Sequence, residues 1–160
     1  MVITYLSGER IQGSSTASDH AQSTADTGRT SSSTRTRASQ KIDSSHAIAG
    51  MAISNVTFTM EKTGSFGSGT CYARIYNTSN VLVGTIGSVD GATLTTYSTD
   101  PPTTDVKFSG TTVTMPSGGG YLSVDLPAEI TFAEWNSTES NGYLSLYQSG
   151  SWVNFTSEAL

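Results

Sequence analysis

Apart from its hydroxyls, the chain offers a small stock of reactive side chains: 13 acidic residues, 8 basic residues, two histidines and one cysteine among 160 residues. A Ser-His-Asp arrangement needs a histidine held beside its nucleophile. The histidines are His20, in a stretch of Ser, Thr, Ala and Asp, and His46, just ahead of the first regular apolar alternation. Serine is abundant, but none lies in a G-x-S-x-G turn. A hydrolase using two carboxylates would draw on Asp105, Asp125, Glu129 and Glu134, whose spacing does not set them apart from an acidic surface. His46 reads as a surface or edge residue rather than a metal ligand. Cys71, in phase with Ala73 and Ile75, reads as a small buried hydrophobe. Asp90-Gly91 and Asp100 are too sparse for a calcium loop of the EF-hand kind. The expectation is a protein with no catalytic residue, no cofactor and no metal ligand set.

Aromatic residues offer the other kind of chemistry. Tyr72 and Tyr76 share one strand face, Tyr143 and Tyr147 share another, and Trp135 and Trp152 complete the set. Flat rings of this type stack on sugars, and they also make amphipathic protein contacts. Tyr143, Tyr147 and Trp152 are therefore the candidate glycan or interface face, with both uses open. Four of six asparagines stand in N-x-S/T, at Asn55, Asn77, Asn136 and Asn154. In a chain with 51 Ser and Thr, composition alone produces such matches.

The elements that must carry these residues are strands. Charged residues are 13% of the chain, against roughly 25% in ordinary soluble proteins. That excludes a coiled coil or helical bundle, and one cysteine excludes a disulfide scaffold. Without clustered Lys and Arg, nucleic acid is not an expected partner. No apolar run reaches the ~18 residues of a membrane span, and Met1–Tyr5 has no basic region or long apolar core of a secretory leader. From residue 46 onward the apolar period is two: Val56, Phe58, Met60; Cys71, Ala73, Ile75; Val106, Phe108; Leu122, Val124, Leu126; Leu144, Leu146. Gly-, Asn- and Pro-rich breaks separate these runs at roughly ten-residue spacing, which predicts about eight strands of a sandwich or barrel. A bulge is expected near Ser54-Asn55, where two apolar phases meet. A hairpin turn is expected at Ser109-Gly110, and helical turns only near Ala92–Leu94 and Ala128-Glu129. The predicted core is Val56, Phe58, Ile75, Val83, Phe108, Leu122, Val124, Leu144 and Leu146.

Residues 13–45 hold one large aliphatic residue, Ile42, and by composition cannot bury enough apolar surface to order themselves. Residues 1–41 carry five basic and three acidic groups, net +2; residues 42–160 carry three and ten, net −7. The expected organisation is an extended Ser/Thr-rich N-terminal arm over 1–45 and a β-sandwich over 46–160. In that scheme Val2, Ile3, Tyr5, Leu6, Arg10 and Ile11 anchor the arm on an edge or groove of a neighbouring subunit, by strand addition.

The run from Ile53-Ser54-Asn55-Val56-Thr57-Phe58-Thr59-Met60-Glu61-Lys62-Thr63-Gly64, with Gly69-Thr70-Cys71-Tyr72-Ala73-Arg74-Ile75-Tyr76 and Gly84-Thr85, resembles jelly-roll β-sandwich domains of phage and archaeal-virus structural proteins and of extracellular surface proteins. The start, Tyr5 to Ser15, resembles those of uncharacterised proteins from environmental viruses. The resemblance covers about residues 46–126 and 1–15. It implies an all-β, antiparallel two-sheet jelly-roll sandwich and a structural or adhesive role. The expected function is a non-enzymatic virion component, a capsid-decorating, minor capsid or fibre subunit whose partners are its own copies or a capsid protein. The alternative is a carbohydrate-binding module of an exported or cell-surface protein, with a surface glycan as partner.

Overall fold

The computed structural model describes residues 27–134 and 142–155, and the chain there is an all-β sandwich of two antiparallel sheets. Its strands are β1 (Thr27–Thr30), β2 (Arg35–Ile42), β3 (Ala52–Lys62), β4 (Thr70–Asn77), β5 (Leu82–Asp90), β6 (Asp105–Thr114), β7 (Gly120–Asp125), β8 (Ile130–Glu134), β9 (Gly142–Gln148) and β10 (Ser151–Phe155). The smaller sheet runs β1-β8-β3-β6 and the larger β10-β9-β2-β7-β4-β5. Four of the pairings, β1 with β8, β2 with β7, β3 with β6 and β4 with β5, join strands whose numbers sum to nine. The β9–β10 hairpin, turned by Ser149-Gly150 with both φ angles positive, widens the larger sheet beyond β2.

Alternation dictates the interior. Val56, Phe58 and Met60 of β3 and Phe108 of β6 face Ala38, Ile75, Leu122, Val124 and Leu146 of the larger sheet, and all are fully buried. Phe58 and Phe108 meet edge to face at 5.7 Å, the arrangement their ring quadrupoles favour. The register shift between Ile53 and Asn55 marks the expected bulge. A 3-10 turn over Gly91–Thr93, capped by the Asp90 carboxylate on Ala92 N, sits where a helical turn was predicted.

Three expectations are corrected. The first is the boundary at residue 45. β1 and β2 belong to the sandwich, and β2 runs centrally in the larger sheet between β9 and β7. Its inserted side chains are small or polar, Ala38, Ser39 and Gln40, with Ile42 at its end, all buried. Neighbouring strands supply most of the apolar surface there, so a count of large aliphatics within the segment overlooks it. Second, Ser109-Gly110 does not turn the chain. β6 continues through it and bulges there, because Ile53 pairs with Val113 while Asn55 pairs with Ser109, so that three residues of β6 stand against Ser54 alone. Third, Val83 is 44% exposed. Two register shifts between β4 and β5 throw the alternation of β5 out of phase with the interior. The side chain of Leu144 lies outside the described residues.

At one margin the two sheets touch. A Cβ on Gly87 of β5 would lie 2.7 Å from Ser109 O and 2.8 Å from Ser109 N of β6, so only a glycine admits this approach.

Candidate functional site: the outer face of the larger sheet

Strand register builds the outer face as three rows. Trp152, Tyr147, Arg37, Asp125 and Tyr72 succeed one another across β10, β9, β2, β7 and β4. A row two residues along holds Ser145, Ser39, Ser123 and Arg74, and the next holds Tyr143, Lys41, Tyr121 and Tyr76. Side chains at i, i+2 and i+4 share a face, so these rows form one surface.

Asp125 is its electrostatic centre. Arg74 Nη1 and Tyr76 OH both donate to Asp125 Oδ2 at 2.6 Å, and Arg37 Nε lies 3.5 Å from Oδ1. The Arg37 guanidinium is held between two rings, 4.3 Å from the Tyr76 centroid and 4.4 Å from that of Tyr147. Its Nη1 donates to Asn80 Oδ1 at 2.9 Å, tying the β4–β5 turn to β2. Arg74 lies 4.3 Å over the Tyr72 ring and donates from Nε to Thr85 Oγ1 at 3.2 Å. Cation–π geometry of this kind stabilises both partners when water is partly excluded. Burial, and then the neighbouring Asp125 carboxylate, push the Tyr76 phenol up to about 12.

Trp152 covers part of this surface. Its ring stacks on Tyr121 at 4.2 Å and 5°, and meets Tyr147 edge to face at 5.2 Å and Tyr76 at 6.5 Å. In the sheet order β10 lies three places from β7, so the hairpin leans over the face to make this stack. Tyr76 and Tyr121 are left 3% and 6% exposed, and Ser39, Ser123 and Ser145 are fully buried, with the Ser39 and Ser123 hydroxyls bonded to each other. The Trp152 indole N–H is buried without a hydrogen-bond acceptor among the described residues.

Of the three aromatic residues singled out in the sequence, Tyr147 and Trp152 come together, half-buried, on this face. Tyr143 takes its register position opposite Lys41, and its side chain lies outside the described residues. Val2, Ile3, Tyr5, Leu6, Arg10, Ile11, His20 and Trp135 also lie outside them. Arg37, Tyr121 and Asp125 complete the cluster. Arg37 was assigned to the arm by composition, although its spacing from Ser39 and Lys41 is that of a strand face.

Elsewhere the candidate chemistry is dispersed. His46 is buried, contrary to the surface position expected, because the turn over residues 44–50 closes on it and its Nδ1 accepts from Ile48 N at 3.2 Å. Asp105 accepts from Thr59 Oγ1 at 2.7 Å on the smaller sheet. Glu129 accepts from Thr63 Oγ1 and Ser65 Oγ at 2.9 and 3.1 Å ahead of β8, and the Glu134 side chain lies outside the described residues. Cys71 is buried, and desolvation pushes its thiol up to about 12, which leaves no nucleophilic thiolate at neutral pH. Among the described residues no group of three or more His, Cys, Asp or Glu is arranged to hold a metal ion. No family model, curated protein or solved structure matches the chain.

Proposed function

We propose that the chain is a non-enzymatic structural protein of a virus particle, a capsid-decorating, minor capsid or fibre subunit built as a jelly roll and assembling with its own copies or a capsid protein. One observation carries it: the order of β1 to β8. Folding an eight-strand antiparallel hairpin so that β1 meets β8, β2 meets β7, β3 meets β6 and β4 meets β5, and then rolling it, yields two sheets ordered 1-8-3-6 and 2-7-4-5. This order supports the jelly-roll reading, an architecture that recurs in capsid and lectin domains. The small β9–β10 hairpin is an addition at the β2 margin. Fold alone does not assign function. The structural role is favoured over an enzymatic one because Asp105, Asp125 and Glu129 lie on separate elements, each engaged with hydroxyls or a guanidinium group. Residues 1–26 then serve as the assembly arm.

Immunogold labelling of virus-sized particles from the native source tests the role. Label on particles is expected. Recovery only as a free 16.8 kDa chain would overturn it.

The second reading is a carbohydrate-binding module, favoured by the partial exposure of Tyr147 and Trp152. It is the weaker one, because Trp152 already stacks on Tyr121 and little ring surface is left for a sugar. Specific binding on a glycan array, lost in Trp152→Ala, would reverse the order.

A further inference from the structure

We infer that Val81-Leu82-Val83, at the start of β5, is the docking place for the apolar segment Val2–Leu6 of a neighbouring copy, which lies along β5 as an added strand. The inference rests on the assembly role proposed above and gives it a location.

Four large hydrophobic residues are exposed among the described residues, and three are consecutive here: Val81 at 59%, Leu82 at 47% and Val83 at 44%. Leu82 and Val83 begin the last strand of the larger sheet, an edge strand, and Val81 leads into it from a turn in which its N–H and carbonyl are bonded to Asn77. The other edges are guarded. At β1, Gly28 N donates to Asp100 Oδ1 at 2.6 Å, and Pro102 stands against the same glycine. β6 carries Asp105 and Lys107 and closes against β5 near Gly110. β10 is drawn over the outer face by the Trp152 stack. β5 is itself covered by β6 from Gly84 to Gly87, through Val113 and Ser109. Leu82 and Val83 lie ahead of that cover and are exposed. No charged residue occurs between Asn77 and Val89, so the usual deterrent to strand pairing is missing.

The size of the patch selects its occupant. Three half-exposed aliphatic side chains offer far less than the ~800 Å² per partner of a stable globular interface. A short extended segment needs no more than this, since main-chain bonds supply much of its affinity and side-chain contacts the remainder. Val2, Ile3, Tyr5 and Leu6 form the one apolar run in residues 1–26. The 20 residues from Ser7 to Asp26 can extend at most roughly 70 Å, enough to reach an adjoining copy.

Disulfide trapping between separate full-length chains tests the dock, since Cys71 is buried and cannot compete. Ile3→Cys is mixed with a differently tagged Leu82→Cys chain, with exposed Lys107→Cys as the control. A mixed disulfide with Leu82→Cys and little with Lys107→Cys is expected. Leu82→Asp and Ile3→Asp should each raise the concentration needed for association at least tenfold by light scattering, with unchanged circular dichroism. Equal trapping at Lys107→Cys, or trapping only within one chain of a double variant, overturns the inference. Association undiminished in Leu82→Asp overturns the dock and leaves the assembly role standing. A wild-type chain of 16.8 kDa at every concentration overturns both.

Discussion

Asp125 holds the outer face of the larger sheet together from a central strand. Two guanidinium groups and a phenol converge on its carboxylate. Replacing it by alanine leaves Arg37 and Arg74 facing each other across a partly dehydrated face with no counter-charge. Asp125→Ala is expected to cost about 2 kcal/mol in denaturant unfolding, the scale of hydrogen bonds to a charged group. Tyr76 gives a pH test. Its folded pKa, about 12, lies above the unfolded value of 10.0, so the folded state holds the proton more tightly. That contribution is complete below pH 10 and is lost as pH rises toward 12. Tyr76→Phe should therefore lose less stability than the wild type between pH 10 and 12 in thermal melts; an equal loss would show that Tyr76 does not carry the effect.

At the scale of elements, the β5–β6 margin is the most sharply testable. Gly87→Ala forces a methyl group into the Ser109 backbone and should destabilise by about 1–3 kcal/mol, as overpacking does. Gly64→Ala, whose Cβ would meet nothing within 4 Å, is the control and should leave the unfolding midpoint nearly unchanged. Strands such as β3, β4 and β7 were legible because Val, Ile, Phe and Leu alternate in them with period two, whereas β6 reads as two strands parted at Ser109-Gly110. The bulge at Ser54-Asn55 was legible because the phase changes there. β2 was not, because its buried middle is Ala38, Ser39 and Gln40 and its one large aliphatic residue, Ile42, stands at its end. Nor was the exposure of Val83, since it follows from slips in pairing with β4 rather than from any local pattern. The aromatic cluster was half legible: Tyr147 and Trp152 declare themselves by type, but their joining with Tyr121, Arg37 and Asp125 depends on a strand order that no local window contains.

For the molecule as a whole, the position of β2 decides where the chain can be cut. Removing residues 1–26 should leave circular dichroism dominated by strand and a cooperative melt. Removing residues 1–45 deletes β1 and β2, leaving β7 and β9 without the strand between them. That truncation should be insoluble or unfolded. A folded product from the longer truncation would show that the sandwich does not need β2.

The pairing of β1 with β8 has a consequence for synthesis. Thr30 meets Thr131 across 101 residues, and Ala38 needs both Val124 and Leu146 as neighbours. At roughly 5–20 residues per second, the first strands leave the ribosome several seconds or more before their partners exist. The stretch from Gln12 to Lys41, made before its partner strands, holds almost nothing sticky: hydroxyls, small side chains and scattered charge. The composition that hides β2 from a search for core strands also lets it wait in water without collapsing onto itself or onto other nascent chains.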